Sequence, residues 1–226
     1  MFKVKLRAFT LAEVLITLGI IGVVAAMTIP TLITNHQKRQ TVVKLQRAIS
    51  VMNQAYRLAY DDVGEVSAEE AKSMTNDAYF NKFWAPYLKT SIICKTYKQC
   101  GYDSARPFKY PNGGIYDFYV VSTSARTTFY TSEGFLYVVL IYGGKDSLPS
   151  SDIYVDINGS KKPNILGKDV FILKRVLDGE KGGVVLPYCY NLTNERIDES
   201  CKSSGTCCAE KIKRAGWNID KSYPWK

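Results

Sequence analysis

Histidine and the common catalytic motifs are scarce in this sequence. Only one histidine, His36, occurs among the 226 residues. The chain contains no Gly-rich nucleotide-binding loop, no H-E-x-x-H zinc motif and no G-x-S-x-G nucleophile motif. Because no nucleophile, base and orienting residue form a recognisable set, we expect that the protein is not an enzyme.

The chain also lacks a long block of like charge. Thirty Lys and Arg residues against 21 Asp and Glu leave a formal net charge of +9, but the excess is dispersed. It therefore does not form the basic arm that is typical of many nucleic-acid-binding proteins. Hydrophobic residues make up 46% and charged residues 23% of the chain, which excludes wholesale disorder and allows a globular core.

An uncharged apolar stretch of 20 residues, 14–33, dominates the amino-terminal region. As a helix rising ~1.5 Å per residue, it is long enough to cross a bilayer core of ~30 Å. A short basic leader precedes the stretch, and Glu13 is the residue immediately before it. Inserting an unpaired carboxylate there costs roughly 2–3 kcal/mol or more, so Glu13 needs a partner or a shallow position.

Two simple interpretations leave Glu13 without a role. One is a secretory signal peptide with a cleavage site at Val24-Ala25-Ala26, and the other is a plain membrane anchor. A third interpretation uses the whole pattern. The segment AFTLAEVLI, Ala8 to Ile16, followed by Pro30, resembles the amino-terminal signature of type IV pilins and type II secretion pseudopilins. The residue before the cut is usually glycine in that family and is Ala8 here.

The resemblance implies processing and assembly at the amino terminus. A prepilin peptidase would cleave between Ala8 and Phe9 and methylate Phe9. Glu13 would then pair with the amine of Phe9 in a neighbouring subunit, which supplies the missing cation in a low-dielectric site. Pro30 removes one helical hydrogen bond, so a kink or melted turn is expected there.

The resemblance also implies a structural function. The protein would be a subunit of a pilus-like fibre, a pseudopilin or minor pilin of a type II secretion or type IV pilus machine. Its implied partners are homologous pilin-like subunits, the prepilin peptidase, the membrane and an inner-membrane assembly platform. It would cross the bacterial cytoplasmic membrane once, with its head on the periplasmic or extracellular side. A membrane-tethered hydrolase is the enzyme alternative.

The expected fold is α+β and pilin-like, with a long amino-terminal helix packed on a small antiparallel sheet. We expect a leader at 1–8, a transmembrane assembly helix at 9–33, the periplasmic half of the long helix at 34–62 and a globular head at 63–226. An apolar stripe predicts that the second half of the helix packs on the head. Its members are Val42, Leu45, Ile49, Met52, Tyr56 and Ala59.

Alternating apolar runs and turn residues predict most of the head. A TSEG turn at 131–134 predicts a hairpin, and short helices are expected at 69–74 and 79–88. A last helix is expected at 207–214, capped by Thr206. The predicted strands are 114–122, 127–132, 134–142, 152–157, 169–176 and 183–188.

All six cysteines follow the apolar stretch. Their even number indicates an oxidising compartment and up to three disulfides. We expect pairing within each local group and different partners for the two adjacent cysteines. A zinc site or a redox site is the alternative, but no C-x₂-C spacing occurs. The six are Cys94, Cys100, Cys189, Cys201, Cys207 and Cys208.

The stretch from Asp156 to Asp169 concentrates oxygen-bearing side chains around turn residues. Asn-Gly and Lys-Pro-Asn favour a tight connection between strands, which is the first explanation. A structural calcium ion is the alternative, held by Asp156, Asn158, Asn164 and Asp169, because hard cations bind carboxylate and carbonyl oxygens. The stretch also resembles a VDxNGxxxPNxxGxD segment that is common in pseudopilin-like heads.

Cations and aromatic residues mix in the carboxy-terminal tail. Lys211, Lys213 and Arg214 beside Trp217 could bind single-stranded nucleic acid through phosphate attraction and base stacking. The simpler explanation is a structural one, in which the tryptophan packs on the sheet while the cations are solvated. We favour that explanation and do not expect a nucleic-acid partner. A minor pilin that binds DNA or a surface at a fibre tip is the alternative function.

Overall fold

The computed structural model describes residues 10–65, 70, 73–123, 125–140, 151–176 and 184–225. The chain divides into two compact units, Met1–Gln40 and Thr41–Lys226. The first unit contains the apolar part of the first helix. The second contains the rest of that helix, the sheet and the cysteines, and we call it the head.

The first helix, α1, runs from Leu11 to Val63. It ends where Gly64 takes a left-handed conformation with φ 76° and donates to the Tyr60 carbonyl, a common helix stop. α1 continues through Pro30 without a break. Of the two alternatives expected at Pro30, the melted turn is wrong, because one missing N–H leaves the hydrogen bonds on either side in place, and the kink stays a prediction.

Six antiparallel strands form one sheet in sequence order, so each strand pairs only with strands next to it along the chain. Together with α1, this sheet confirms the α+β class. The connection from β2 to β3 is the predicted hairpin, with Gly134 at φ 81° in its turn. The strands are β1 Thr90–Ile93, β2 Arg126–Thr131, β3 Leu136–Leu140, β4 Ser151–Asp156, β5 Val170–Val176 and β6 Val184–Pro187.

Five of the six predicted strands correspond to β2 through β6. The prediction of a strand at 114–122 is wrong. Phe118 and Val120 in this segment are buried, but the Val120 amide donates to the Ala105 carbonyl in the adjoining loop instead of a strand ladder. The alternating apolar residues indicate only that one side of the segment is buried. An irregular loop can bury one side just as a strand can.

The short helices differ from the prediction at their ends. α2 spans Asn76–Phe83 and is followed by a 3₁₀ turn at Ala85–Tyr87, whereas half of 69–74 lies outside the described residues. α3, Asn194–Ser203, was not predicted. α4 spans Cys208–Arg214, and Cys207 occupies its N-cap position without a side-chain hydrogen bond.

The predicted cap at Thr206 is wrong. Its hydroxyl lies 2.8 Å from the Ser200 hydroxyl and 2.9 Å from the Ser204 hydroxyl. These contacts connect the end of α3 to the loop that leads into α4. Thr206 therefore forms hydrogen bonds at the end of α3 and does not cap α4, because the Ser200 and Ser204 hydroxyls lie within hydrogen-bond distance.

The sheet has a hydrophobic core on each face. One core joins the α1 stripe, including Leu45 and Met52, to side chains such as Phe129. The other lies under the aromatic loop at 102–123 and includes Phe108 and Val138. All five residues of β3 are buried, because a central strand covered on both faces shows no polar alternation.

α1 also closes one edge of the sheet. The Asn53 side-chain nitrogen donates to the Val185 carbonyl at 2.9 Å, and the Val185 amide donates to the Asn53 side-chain oxygen at 2.9 Å. β6 is the last strand, so these bonds use backbone groups that face away from β5. An edge strand capped in this way is protected against pairing with another chain.

Candidate functional site

Glu13 takes part in a capping box at the start of α1. Its Oε2 accepts hydrogen bonds from the Thr10 amide at 2.8 Å and from the Thr10 hydroxyl at 2.9 Å. In return, the Glu13 amide donates to the Thr10 hydroxyl at 3.2 Å. This reciprocal pattern satisfies donors that a helix start leaves unpaired. The T-x-x-E spacing was visible in the sequence, and our prediction missed it.

The remaining predicted residues of the amino-terminal site, Ala8 and Phe9, lie outside the described residues. Processing between them and methylation of Phe9 therefore stay predictions. Thr10 adjoins Phe9 in the chain, so the capping box begins one residue after the predicted cut.

The apolar side chains of α1 between Leu11 and Ile33 are exposed to their surroundings. Met27 is 74% exposed and Leu18 is 60% exposed. None of the most apolar 18-residue window of α1 is buried. By length and composition this part of α1 is a candidate membrane anchor. A signal sequence near the amino terminus meets the same criterion.

The stretch that we considered for calcium forms a folded loop, residues 156–169, which we call the buried loop. Asp156 at its start is fully buried. Its Oδ2 accepts a hydrogen bond from the Tyr102 hydroxyl at 2.8 Å, and its Oδ1 accepts one from the Asn158 amide at 3.2 Å. In the orientation that its neighbours require, the Asn164 side-chain nitrogen donates to Asp156 Oδ2 at 3.2 Å.

Asp169 closes the other end of the buried loop. Its Oδ2 accepts hydrogen bonds from the Asn164 amide at 2.8 Å and from the Asn158 side chain at 3.2 Å. Its Oδ1 accepts one from the Ile165 amide at 2.6 Å. The four predicted calcium ligands therefore do come together, with N–H and O–H donors on their carboxylates. This arrangement explains the loop as a hydrogen-bonded connection between β4 and β5.

Burial changes the acid strength of both carboxyl groups. Desolvation raises the pKa of Asp156 well above its ordinary value, and the nearby charge of Asp169 raises it further. Desolvation also raises the pKa of Asp169, although the Asn164 and Ile165 amides oppose this shift. The pair therefore holds protons more tightly than free carboxylic acids do.

A cation at the buried loop would compete with these donors. Within the part of the chain that the structure describes, no group of three or more His, Cys, Asp or Glu residues could hold a metal ion. Calcium ligation by the four residues therefore stays a prediction, and the hydrogen bonds supply the alternative explanation.

Disulfide-bonded segments hold the buried loop from two sides. The Tyr130 hydroxyl donates to the Cys100 carbonyl at 2.8 Å and accepts from the Ser160 amide at 3.0 Å. On the other side, Gly167 has φ 82°, and an added Cβ there would meet Cys208 Sγ at 2.6 Å. This close approach requires glycine. The buried loop thus connects the two cysteine groups of the head.

The cysteines form three disulfides, each within its own local group. Cys94 bonds to Cys100, Cys189 to Cys207, and Cys201 to Cys208. The adjacent pair therefore has two different partners. The bond from Cys201 to Cys208 joins α3 to α4, so the carboxy-terminal helices form one cross-linked module.

Three cations of the carboxy-terminal tail lie in ion pairs within this module. Lys211 pairs with Asp198, and both Lys213 and Arg214 pair with the buried Glu210. Arg214 also donates to the Tyr190 carbonyl at 3.0 Å.

The predicted nucleic-acid residue Trp217 is partly buried against the main core. The structure thus gives all four residues considered for nucleic acid an internal structural role.

No protein-family model matches the chain, and no curated protein or solved structure is significantly similar to it. Inference about its function therefore rests on its own residues and their geometry.

Proposed function

We propose that this protein is a structural subunit of a pilus-like fibre. It is a pseudopilin or minor pilin of a type II secretion or type IV pilus machine, released from its leader by cleavage between Ala8 and Phe9. One observation carries the proposal. A single acid, Glu13, stands at the start of a long helix whose apolar side chains are uncovered, and that helix leads into a separately folded, disulfide-bonded head.

The uncovered apolar side chains support a membrane location followed by assembly. The head has its own hydrophobic cores, and among the described residues none of their side chains comes from Leu11 to Ile33. Apolar surface of this extent is costly in water and is covered by lipid or by other apolar helices. Membrane lipid would cover this apolar surface before assembly. The helices of other subunits would cover it in the assembled fibre.

The disulfides support an outward-facing head. Three disulfides persist in oxidising compartments such as the periplasm and are rare in the cytosol. With a single membrane-crossing helix, the leader then lies on the cytoplasmic side. This topology places the proposed cut where a peptidase that removes basic leaders would act.

Glu13 is the proposed assembly residue. Thr10 supplies hydrogen-bond donors to Glu13 but no positive charge. The free amine that cleavage would create at Phe9 of a neighbouring subunit supplies that charge. Attraction between unlike charges is much stronger in an apolar environment than in water, so the pair would set the register between subunits. A buried charge left without its partner is strongly unfavourable.

A Glu13→Gln variant tests this proposal. Glutamine keeps the capping box but carries no charge. We expect Glu13→Gln to insert into the membrane normally and to assemble poorly, as measured by the fraction of subunits that cross-link into fibres. The matched control is Thr10→Ala, which removes the hydroxyl half of the capping box and keeps the charge. It should assemble close to the wild-type level.

Two outcomes would contradict the proposed role. Wild-type assembly of Glu13→Gln would show that the charge is not used. Equal loss of assembly in both variants would assign Glu13 to helix capping alone. We do not extend the proposal to nucleic acid, because Lys211, Lys213 and Arg214 are engaged in internal ion pairs.

A further inference from the structure

Beyond its apolar stretch and before Asp61, the charged residues of α1 are all basic. No acidic residue occurs between Glu13 and Asp61, although Lys and Arg occur repeatedly over that range. The first two cations after the apolar stretch are Lys38 and Arg39. Because ion pairs within a helix join residues three or four positions apart, α1 offers these two cations no acidic partner.

Lys38 and Arg39 lie close to the end of the apolar stretch. They follow Ile33 by five and six residues, which is about 8–9 Å along a helix axis. Arg39 is exposed and Lys38 is half-buried. Across the described ranges, neither cation forms an ion pair. Arg47, further along α1, differs because it pairs with Glu133 at 2.6 Å.

We propose that Lys38 and Arg39 bind the anionic head groups of phospholipids on the leaflet that faces the head. This inference rests on the proposed membrane insertion of residues 14–33. If the apolar stretch fills the hydrocarbon core, a rise of 8–9 Å beyond it reaches the head-group layer, roughly 5–8 Å thick on each side. Lysine and arginine extend apolar stems along a membrane surface while their charges reach the phosphates.

The charge balance favours lipid over a protein partner. Two cations that form no ion pair among the described residues match a fluid layer of phosphates, which needs no shape complementarity. Each Lys or Arg near an anionic leaflet contributes about fivefold to the association constant. Such binding would hold the end of the apolar stretch at a fixed depth in the membrane.

Lipid selectivity of the full chain tests the inference. The chain is reconstituted into phosphatidylcholine vesicles that contain a trace of spin-labelled phosphatidylglycerol or spin-labelled phosphatidylcholine. Electron paramagnetic resonance then gives the fraction of each labelled lipid held at the protein. We expect wild type to prefer phosphatidylglycerol, and we expect Lys38→Gln with Arg39→Gln to reduce that preference by about 25-fold, about fivefold for each charge removed.

Two matched variants isolate the cause. Lys95→Gln with Lys98→Gln removes the same charge from exposed positions in the head and should leave lipid selectivity unchanged. Lys38→Arg with Arg39→Lys keeps the charge and should preserve selectivity. The basic leader is the same in every variant, so it does not contribute to the differences.

The outcomes separate the inference from the proposed function. Unchanged selectivity after removal of Lys38 and Arg39, in a chain that floats with the vesicles, would overturn the inference and leave the membrane anchor standing. A chain that does not float even with phosphatidylcholine vesicles would overturn both. Loss of selectivity in the Lys95 and Lys98 variant as well would show that net charge alone is responsible, and would also overturn the inference.

Discussion

The two ends of α1 carry similar side chains in opposite surroundings. Leu18 is 60% exposed, whereas Leu45 is completely buried in the head. Around Leu45 the apolar residues form one stripe with polar residues between them, which is typical of a helix that packs on its own protein. Around Leu18 the helix is apolar on every side. The arrangement of apolar residues, more than their number, therefore distinguishes the part that packs internally from the part that needs another partner.

The carboxyl groups of the same two regions differ in their burial and in their hydrogen-bond partners. In the head, Asp156 and Asp169 are buried and their oxygens accept hydrogen bonds from their own loop and from Tyr102. At the start of the apolar stretch, the Glu13 oxygens are bound only by Thr10 among the described residues. The head satisfies these two acids internally, whereas the acid at the helix start is exposed.

The largest expected effect comes from shortening a leucine at each end of α1. Leu45→Ala removes a fully buried side chain and leaves a cavity, so we expect it to lower the free energy of unfolding of the head by about 2–5 kcal/mol. Leu18→Ala is the matched control and should leave this free energy nearly unchanged. Chemical unfolding of the full chain in detergent, followed by near-ultraviolet circular dichroism, measures both.

Equal destabilisation by the two leucine variants would contradict the difference between the two ends of α1. It would mean that Leu18 packs on the head after all. A small effect of Leu45→Ala alone would show that the apolar stripe of α1 is not part of the core.

The next effect concerns the buried acids and pH. The pKa of Asp156 is higher in the folded head than its ordinary value of 3.8, so the folded state binds the proton more tightly than the unfolded state. Its contribution to stability is therefore greatest below the ordinary pKa and is lost as pH rises through the raised folded value. We expect the head to become less stable as pH rises above about 4, and Asp156→Asn to reduce that loss.

Unfolding of wild type and Asp156→Asn across this pH range measures the difference. Asp103→Asn is the matched control, because the Asp103 side chain is 92% exposed and its carboxyl group is not buried. If wild type and Asp156→Asn showed parallel stability profiles, the raised pKa of Asp156 would not govern the pH dependence of the head.

A smaller effect is expected where α1 closes the sheet edge. Asn53→Ala removes both hydrogen bonds to the Val185 backbone and leaves those groups without a partner, at a cost of about 1–3 kcal/mol. The neighbouring Gln54 is exposed, so Gln54→Ala should change stability little. Thermal unfolding measures the loss, and size-exclusion chromatography should detect association through the opened edge of β6. Wild-type stability of Asn53→Ala would show that β6 does not depend on this cap.

Sequence patterns predicted the elements with strong local signals. The uncharged stretch, the α1 stripe and five strands each combine several residues of the same kind at one period, so a local pattern is sufficient. β1 was missed because its four residues, TSII, are too few to show alternation. α3 was missed because it is polar, with only Ile197 and Cys201 buried.

Features that depend on distant residues could not be predicted. Asn53 and Val185 are 132 residues apart, and no local pattern indicates that they meet. One of the hydrogen bonds to Asp156 likewise comes from Tyr102, which belongs to another loop. The Thr10–Glu13 capping box is different, because its spacing is local and could have been recognised.

The mass of the native amino terminus tests the central claim most directly. In the proposed account, cells cut the chain after Ala8, and Phe9 becomes a methylated amino terminus available to Glu13 of a neighbour. Mass spectrometry of the protein purified from its own membranes should therefore find chains that begin at methylated Phe9. Chains that begin at Met27 would identify a secreted protein with a cleaved signal peptide, and chains that retain Met1 would identify a plain anchor. Either result would contradict the account.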